Sequence, residues 1–548
     1  MTFAGGGVAV DTFAHWHDLQ ESSGACTVAG GTAAARYSAL LPAAPPREGE
    51  QYRFEVDLDS CTGCKACVSA CHSLNGLDVD ETWRSVGLLV GGGEPDLGDP
   101  WQQHVTTACH HCLEPACMAG CPVDAYEKHP VTGIVAHLDD QCIGCRYCML
   151  TCPYEVPAFN ARLGIVRKCD MCAGRLAEGE APACVQGCPT NAISIGVVNT
   201  AELAAELATS PDERLVPTAP RSAHTAPTTV YITRKPIPEA PVAGDDHRVV
   251  PAHNHPPLVA MLVLTQLSVA AFAIAALAPA LGLPLGLRRD LAAAVPATLA
   301  WLTSLVAIGA SVLHLGRPLL AWRAVLGLRH SWLSREIVAF GAYAPLGGAT
   351  AAAESGWLPS SWFPLLAAAT VVAGLVGVVC SAQLYAVTSR PLWRLDRTIL
   401  RFGFGALASG ASLVATAVAL AAALDGGSAE RRGVAAVTDT MAWLVAVPVL
   451  IMLAATAWFL HRFRDDGGAL GRTVRLTIGP LRGQLVAAAS LAFGAATVAA
   501  VLAQSEVEPG VGAAGWAMVW LSVVAALWIE RGLFFTAAAP DRMPGSFR

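Results

Sequence analysis

Four closely spaced groups of four cysteines constrain this 548-residue chain more than any other feature of its sequence. They are Cys61, Cys64, Cys67 and Cys71; Cys109, Cys112, Cys117 and Cys121; Cys142, Cys145, Cys148 and Cys152; and Cys169, Cys172, Cys184 and Cys188. The first and third groups have the spacing C-x2-C-x2-C-x3-C, and proline follows the last cysteine in three of the four groups. In this pattern three neighbouring thiolates hold one [4Fe–4S] cluster and the fourth reaches a second cluster. Sixteen such thiolates predict four [4Fe–4S] clusters.

Zinc sites and disulfide bridges are the two alternatives. Zinc sites also use C-x2-C pairs, but they do not need a third and a fourth cysteine at these spacings, repeated four times. Disulfides need an oxidising compartment, and the first residues, MTFAGGGVAV, contain neither the basic segment nor the twin arginine of a secretory signal. The spacing therefore favours iron–sulfur clusters, with Cys26 and Cys380 as non-ligands.

Charge and hydropathy divide the chain into two unlike halves. Residues 1–256 contain 16 Lys+Arg and 30 Asp+Glu, a net charge of −14, whereas residues 257–548 contain 20 and 13, a net charge of +7; the sum is −7. The first half reads as an acidic soluble protein and the second as an apolar membrane protein. No basic patch with interleaved aromatic residues indicates a nucleic-acid partner.

Short apolar strands flank the cysteine groups of the soluble half, at residues 52–56, 133–138 and 192–195. Each strand–cysteine loop–helix–strand unit is half of a bacterial two-cluster ferredoxin, so four groups predict an α+β domain of two such modules in tandem. Lys65, Arg146 and Lys168 lie within or beside the cysteine loops. They either raise cluster potentials, as nearby positive charge does, or are ordinary solvated loop residues.

Eight apolar stretches of membrane-spanning length follow. They lie near residues 258–282, 291–316, 334–353, 362–388, 400–424, 436–460, 482–503 and 513–529. The second half is therefore expected to be an all-α polytopic membrane domain of about eight transmembrane helices. The domain boundaries that follow are an N-terminal extension at 1–50, the ferredoxin-like domain at 51–200, a Pro-rich linker at 201–256, the membrane domain at 257–535 and a C-terminal tail at 536–548.

Arginine placement predicts the orientation of this membrane domain. The loops on the linker side hold 16 arginines and the opposite loops hold 4. The 16 are Arg317, Arg323, Arg329, Arg335, Arg390, Arg394, Arg397, Arg401, Arg462, Arg464, Arg472, Arg475, Arg482, Arg531, Arg542 and Arg548, and the 4 are Arg288, Arg289, Arg431 and Arg432. By the positive-inside rule, the chain is a multi-pass protein of the cytoplasmic membrane with its iron–sulfur half facing the cytoplasm.

Residues 51–200 resemble the four-cluster iron–sulfur subunit of the dimethyl sulfoxide reductase family, through the four groups, their order and the long C-x11-C gap in the last. The resemblance implies that the first group pairs with the fourth and the second with the third. It assigns four ligand sets. Set I is Cys61, Cys64, Cys67 and Cys188; set II is Cys71, Cys169, Cys172 and Cys184; set III is Cys109, Cys112, Cys117 and Cys152; and set IV is Cys121, Cys142, Cys145 and Cys148.

Residues 257–535 resemble the eight-helix anchor subunit of the same family through three motifs. They are His314-Leu315-Gly316-Arg317-Pro318, Leu333-Ser334-Arg335-Glu336-Ile337 and Glu530-Arg531-Gly532-Leu533-Phe534-Phe535. The resemblance implies that His314 and Glu336 are the catalytic residues of a site for menaquinone or ubiquinone. An imidazole and a carboxylate supply the hydrogen-bond donor and the proton acceptor that a quinol needs. The alternative is structural: His314 caps its helix and Glu336 pairs with Arg335 or Arg317.

The expected function is that of a fused electron-transfer and membrane-anchor subunit in anaerobic respiration. The chain would link the quinone pool to a separate molybdopterin catalytic subunit, of the dimethyl sulfoxide-reducing, sulfite-oxidising or nitrate-reducing type. An alternative partner is a hydrogenase or formate dehydrogenase, but their anchors usually carry haem histidines, and only His314 and His461 lie near the expected spans. A proton-translocating quinone module would need buried acids along the spans, and only Glu336 and Asp439 come close, near helix ends.

Overall fold

The computed structural model describes residues 39–92, 99–211, 214–278, 294–424, 431–505 and 508–545. Cys26 and most of the expected N-terminal extension lie outside these ranges. The chain forms two compact units, Met1–Arg248 with Asp541–Arg548, and Val249–Pro540.

The first unit is an α+β domain of short helices and small sheets. Its strands are β1 (Glu50–Asp57), β2 (Ser85–Gly91), β3 (Trp101–Thr107), β4 (Tyr126–Lys128), β5 (Val135–His137), β6 (Ala158–Asn160), β7 (Ile165–Arg167), β8 (Ile193–Asn199), β9 (Val230–Ile232) and β10 (Val242–Ala243). Its helices are α1 (Ala66–Leu74), α2 (Ala116–Ala119), α3 (Tyr147–Thr151), α4 (Ala173–Ala177), α5 (Ala183–Gln186) and α6 (Thr200–Thr209).

Antiparallel pairing closes the unit around its cysteine loops. Strands β1 and β8, which precede the first cysteine group and follow the fourth, pair with Phe54 opposite Ile195. Both side chains are buried, as are Val56 and Ile193. The pairs β4–β5 and β6–β7 are local hairpins that lie before and after the third group. The expected ferredoxin-like class is confirmed, because strand pairing brings cysteine groups that are distant in sequence to one core.

Ordered elements occupy much of the stretch at 201–256 that was expected to be a Pro-rich linker. Asn199 accepts hydrogen bonds from the backbone N–H groups of Ala201 and Glu202 and so caps α6. Strand β9 pairs in parallel with β1, and β10 pairs with β2. The short run TTVYIT between prolines is apolar and β-branched enough to add an edge strand. Residues as far as Arg248 therefore belong to the iron–sulfur unit.

The last described residues also pack within the first unit. The Leu88 N–H donates to the Gly545 carbonyl at 2.9 Å. Arg542 pairs with Asp245 at 3.0 Å, and Met543 is buried in the apolar cluster that includes Leu89. The expected C-terminal tail thus supplies contacts to the edge of the β2 sheet.

The second unit is a bundle of long helices. They are α7 (Pro256–Leu277), α8 (Ala294–Val312), α9 (Trp332–Glu354), α10 (Phe363–Ala386), α11 (Leu395–Leu424), α12 (Arg431–Arg462), α14 (Arg482–Gln504) and α15 (Pro509–Thr536), with the short α13 (Ala469–Ile478) between α12 and α14. Within the described residues, seven are long and apolar enough to cross a membrane. Helix α9, with Arg335, Glu336 and Glu354, is the long helix outside that group. An all-α polytopic domain of about eight helices is confirmed.

Small residues and one buried arginine hold this bundle together. A Cβ on Gly410 of α11 would lie 2.6 Å from the Cβ of Ala270 on α7, so glycine permits the two backbones to approach. Arg531 of α15 is 1% exposed and donates to the Gln266 side chain and the Arg401 carbonyl, each at 2.9 Å. Because polar groups in lipid need internal partners, the Glu530–Phe535 motif pins α15 to α7 and α11.

Candidate functional site

In the structure, cysteine side chains from different groups of the sequence lie next to one another. The thiol of Cys61 has Cys64, Cys67 and Cys188 as electrostatic neighbours, and that of Cys71 has Cys172 and Cys184. Cys169 of set II and the cysteines of sets III and IV likewise have members of their own set among their electrostatic neighbours. Cavities lie within set I, beside Thr106, and within set III, beside Tyr154, and each is lined by all four sulfur-bearing residues of its set.

The chemistry of these sets fits a cluster that carries positive iron. Burial, with like charge from neighbouring thiols, raises the pKa of Cys71 to about 12 and that of Cys121 to about 11. Such thiols become thiolates only when a metal replaces the proton. The thiols of sets I and III surround a cavity, and four thiolates around a shared space fit a [4Fe–4S] cluster.

Backbone N–H groups in the cysteine loops point at the sulfurs. Gly144 N–H donates to Cys142 Sγ at 3.4 Å, and Met171 N–H donates to Cys169 Sγ at the same distance. Both residues have positive φ, 68° and 59°. The left-handed conformation that directs each N–H toward the sulfur favours glycine. The backbone of Met171 is therefore locally strained. Ala125 and Ala192 make matching bonds to the last cysteines of their groups, at 3.3 and 3.2 Å.

Of the three cations noted in the cysteine loops, one is buried. Lys65 is exposed, and the Arg146 guanidinium lies 3.7 Å from the centroid of the Phe159 ring. Lys168 is only 3% exposed. Its Nζ donates to the Cys169 carbonyl at 2.9 Å and to the Val135 carbonyl, and lies 3.8 Å from Cys109 Sγ. Burial alone would lower the pKa of Lys168, but the adjacent thiols outweigh it and raise the pKa.

Sequence reasoning missed Arg84, a second buried cation among the thiols. Arg84 precedes β2 and is distant in sequence from every cysteine group except the first. It is 2% exposed and has Cys184 and Cys67 as its leading electrostatic neighbours. No local motif marks it, because only the packing of β2 and β3 brings it to the cysteines. In the sequence, Arg84 is distinguished only as the single Lys or Arg between the first two cysteine groups, directly after Trp83.

His314 lies in the turn after α8 and is 8% exposed. Its ring centroid is 5.1 Å from that of His255, edge to face. His255 also contacts Phe535 of α15 and His253, with centroids at 5.5 and 4.7 Å. Sequence reasoning did not include His253 and His255, although the run AHNHPP directly before the first apolar stretch could have indicated them. His255 therefore contacts the predicted quinone residue directly, and His253 in turn contacts His255.

Glu336 is buried on α9 and is 3% exposed. Ser381 and Cys380 of α10 are its described neighbours, and its Oε1 has no hydrogen-bond partner within the described ranges. Arg335 donates instead to the carbonyls of Leu328 and Arg329, at 3.2 and 2.6 Å. An ionisable group buried in a membrane bundle marks a functional candidate.

A large apolar cavity lies elsewhere in the bundle. It has a volume of about 340 Å³ and is lined mainly by residues of α11, α12, α14 and α15. Its polar groups include Arg401 and Glu530, whose side chains are 3.5 Å apart. Neither His314 nor Glu336 lines it. This apolar cavity, which is large enough for part of a lipid-soluble molecule, is therefore separate from the two residues that the motifs indicated.

Comparison with known families matches both halves of the chain. The model of the DMSO reductase anchor subunit (DmsC) family matches residues 252–536. In the first half, a 4Fe-4S dicluster domain matches residues 101–198 and a 4Fe-4S binding domain matches residues 52–73.

Individual relatives match about a quarter of the chain. The probable anaerobic dimethyl sulfoxide reductase chain YnfG of Escherichia coli K12 is 40% identical over 153 residues, covering 27% of this chain and 74% of the relative. The B subunit of anaerobic dimethyl sulfoxide reductase from the same strain is 39% identical over 154 residues, 27% of this chain and 75% of the relative. The hydrogenase-2 operon protein HybA of Escherichia coli O157:H7 is 35% identical over 163 residues, 26% of this chain and 50% of the relative.

Proposed function

The chain belongs to the dimethyl sulfoxide reductase anchor family and carries a 4Fe-4S ferredoxin part in the same polypeptide; from this we propose that it passes electrons between membrane quinone and a separate molybdopterin catalytic subunit through four [4Fe–4S] clusters. It is a multi-pass membrane protein with an electron-transfer role. The proposal extends to the number of clusters, the use of a quinone and the type of substrate of the partner.

The observation that carries the proposal is the continuity of the four cysteine sets. Sets I and II share α1, where Cys67 and Cys71 lie one turn apart. Set II faces set III through Cys169 and Cys109. Cys121 and Cys148 of set IV lie around Tyr126 together with Cys117 of set III. Clusters accept and release single electrons, so the order I–II–III–IV is a continuous route.

His314 and Glu336 are the proposed groups for quinone chemistry. Oxidation of a quinol releases two electrons and two protons. His314, in a turn at the end of α8, accepts one proton and exchanges it with the neighbouring imidazole of His255. Glu336, whose Oε1 is buried without a hydrogen-bond partner in the described part of the chain, accepts the other. The electrons leave singly toward the iron–sulfur unit. In the opposite direction, the same groups donate the protons that a quinone takes up.

The partner proposed is a molybdopterin subunit of the dimethyl sulfoxide-reducing, sulfite-oxidising or nitrate-reducing type. The match to HybA keeps a hydrogenase or formate dehydrogenase partner as the alternative, but it covers only 26% of this chain. The anchor half matches the DmsC family, and this match favours the molybdopterin partner.

Exchange of electrons with quinol tests the proposal directly. When the purified full-length chain is mixed anaerobically with a menaquinol analogue, we expect the visible iron–sulfur absorption to bleach, and we expect the matching quinone to reverse this. Reduction by dithionite measures the total cluster content in the same sample. Full bleaching by dithionite, with no response to quinol or quinone in either direction, would contradict the quinone role while leaving the clusters in place.

The iron–sulfur unit is proposed to face the cytoplasm. The reason is the asymmetry of 16 to 4 arginines between the two sets of loops. We expect protease added to intact spheroplasts to spare the segment around Arg234 and Arg248, and protease added to inverted vesicles to cleave it. A periplasmic marker protein should be cut in the spheroplasts as a control. Cleavage of the chain in spheroplasts would place the clusters on the outer side.

A further inference from the structure

We propose that two buried cations, Arg84 and Lys168, set the reduction potentials of the clusters at two successive junctions of the row. Arg84 lies between sets I and II, and Lys168 lies between sets II and III. The inference rests on the proposed function, because it takes the four cysteine sets to hold [4Fe–4S] clusters.

Arg84 is held in place from several sides within the first unit. Its Nη1 donates to Thr106 Oγ1 at 3.2 Å, and the same hydroxyl lies 3.6 Å from Cys67 Sγ of set I. The guanidinium carbon is 4.6 Å from the centroid of the Phe54 ring. Thr106 and Phe54 are themselves buried. The guanidinium is therefore fixed rather than mobile at the surface.

No carboxylate neutralises Arg84 among the contacts of the described residues. Glu81, a buried acid three residues earlier, pairs instead with Arg167 at 2.9 Å. Nε and Nη2 of Arg84 are buried without hydrogen-bond partners in the described part of the chain. Arginine keeps its charge in proteins, and burying an unpaired charge is unfavourable because the charge loses its hydration. The groups that face it are the cysteines of sets I and II, led by Cys184 and Cys67, and these become thiolates when they bind iron.

Lys168 occupies the next junction. Its Nζ lies 3.8 Å from Cys109 Sγ of set III and donates at 2.9 Å to the carbonyl of Cys169, a residue of set II. Cys117 of set III is a further electrostatic neighbour. The cysteines of set II therefore face both cations. At the junction of sets III and IV, the uncharged phenol of Tyr126 has Cys117 of set III and Cys121 and Cys148 of set IV as neighbours.

Fixed positive charge favours the reduced state of a cluster. Each reduction adds one negative charge, so a nearby cation stabilises the reduced form more than the oxidised form, and net charge and hydrogen bonds are among the factors that set cluster potentials. Set II is consequently the position where an electron is most stabilised by Arg84 and Lys168 together. Both residues act on the reduction potentials of the clusters and take no part in quinone chemistry.

Potentiometric titration of the full-length chain, followed by electron paramagnetic resonance, tests this pattern. Arg84→Gln should lower the reduction potentials of two clusters, each by about 59 mV. For a one-electron couple, this shift lowers the ratio of reduced to oxidised cluster at a given potential about tenfold. Lys168→Gln should shift two clusters by a similar amount. One cluster, and only one, should shift in both variants, and the fourth should shift in neither. Arg84→Lys, which keeps the charge, should shift less than Arg84→Gln.

Arg162→Gln is the matched control. Arg162 belongs to the same unit, but its side chain is 67% exposed and pairs with Asp78 on the surface, so its loss should leave all four potentials unchanged. Unchanged potentials in Arg84→Gln with full iron content would overturn the inference, as would equal shifts in Arg162→Gln. If Arg84→Gln loses iron, Lys168→Gln decides, and four unchanged potentials in Lys168→Gln with full iron content overturn the inference. Absence of four cluster signals in the unmodified chain would instead refute the proposed function.

Discussion

Cys71→Ser is expected to remove or convert one cluster and to interrupt electron flow along the row. Cys71 comes from the first cysteine group, but its side chain lies with Cys172 and Cys184 of the fourth. The cluster affected should therefore be that of set II, while set I keeps Cys61, Cys64, Cys67 and Cys188. Because set II lies between sets I and III, electrons should no longer pass efficiently from one end of the row to the other.

Iron analysis and electron paramagnetic resonance measure this outcome. The unmodified chain should contain about sixteen irons, four for each [4Fe–4S] cluster. Cys71→Ser should lose up to about a quarter of them, or show the signal of a three-iron cluster. Cys380→Ser is the matched control, since Cys380 is also buried but lies on α10 of the other unit. Full iron content and four unchanged clusters in Cys71→Ser would show that Cys71 is not a ligand.

His314→Ala is expected to stop the reduction of the clusters by quinol while leaving their reduction by dithionite intact. Loss of a positioned acid–base group typically slows a reaction by about 10² to 10⁴-fold, and we expect a loss in that range. Glu336→Gln should have a similar or smaller effect, because the amide keeps the shape of the side chain but cannot accept the proton. Anaerobic stopped-flow bleaching with a quinol analogue gives the rate per assembled molecule.

Two matched variants separate the quinone role from a structural one. His461→Ala removes an exposed histidine at the end of α12, and Glu354→Gln changes a carboxylate at the opposite end of α9 from Glu336. Neither should change the quinol rate. Fewer assembled molecules with an unchanged rate per molecule would make His314 a structural cap. If Glu530→Gln or Arg401→Gln stops quinol turnover and His314→Ala does not, the quinone binds in the apolar cavity between α11, α12, α14 and α15.

Much of the architecture could be predicted because its causes are local in sequence. Strand β1 and the eight long helices follow from runs of side chains whose length and polarity are visible without a structure. The weak apolar character of α9 was visible too, since Glu336 and Pro345 interrupt it. The elements at 201–248 were less predictable. Strands β9 and β10 are three and two residues long, and they form because neighbouring strands offer unpaired edges.

The sequence by itself determined the cofactor type and the two-part organisation, because ligand spacing and hydropathy are written along the chain. Tertiary structure decided which charges face the cysteine sets. Arg84 and Lys168 lie 84 residues apart in sequence, yet both are buried against cysteines of set II. Lys65 sits inside a cysteine loop and is nevertheless exposed. Burial and distance control how strongly a charge acts on a site, and both depend on how β2, β3 and the cysteine loops pack, which no local spacing specifies.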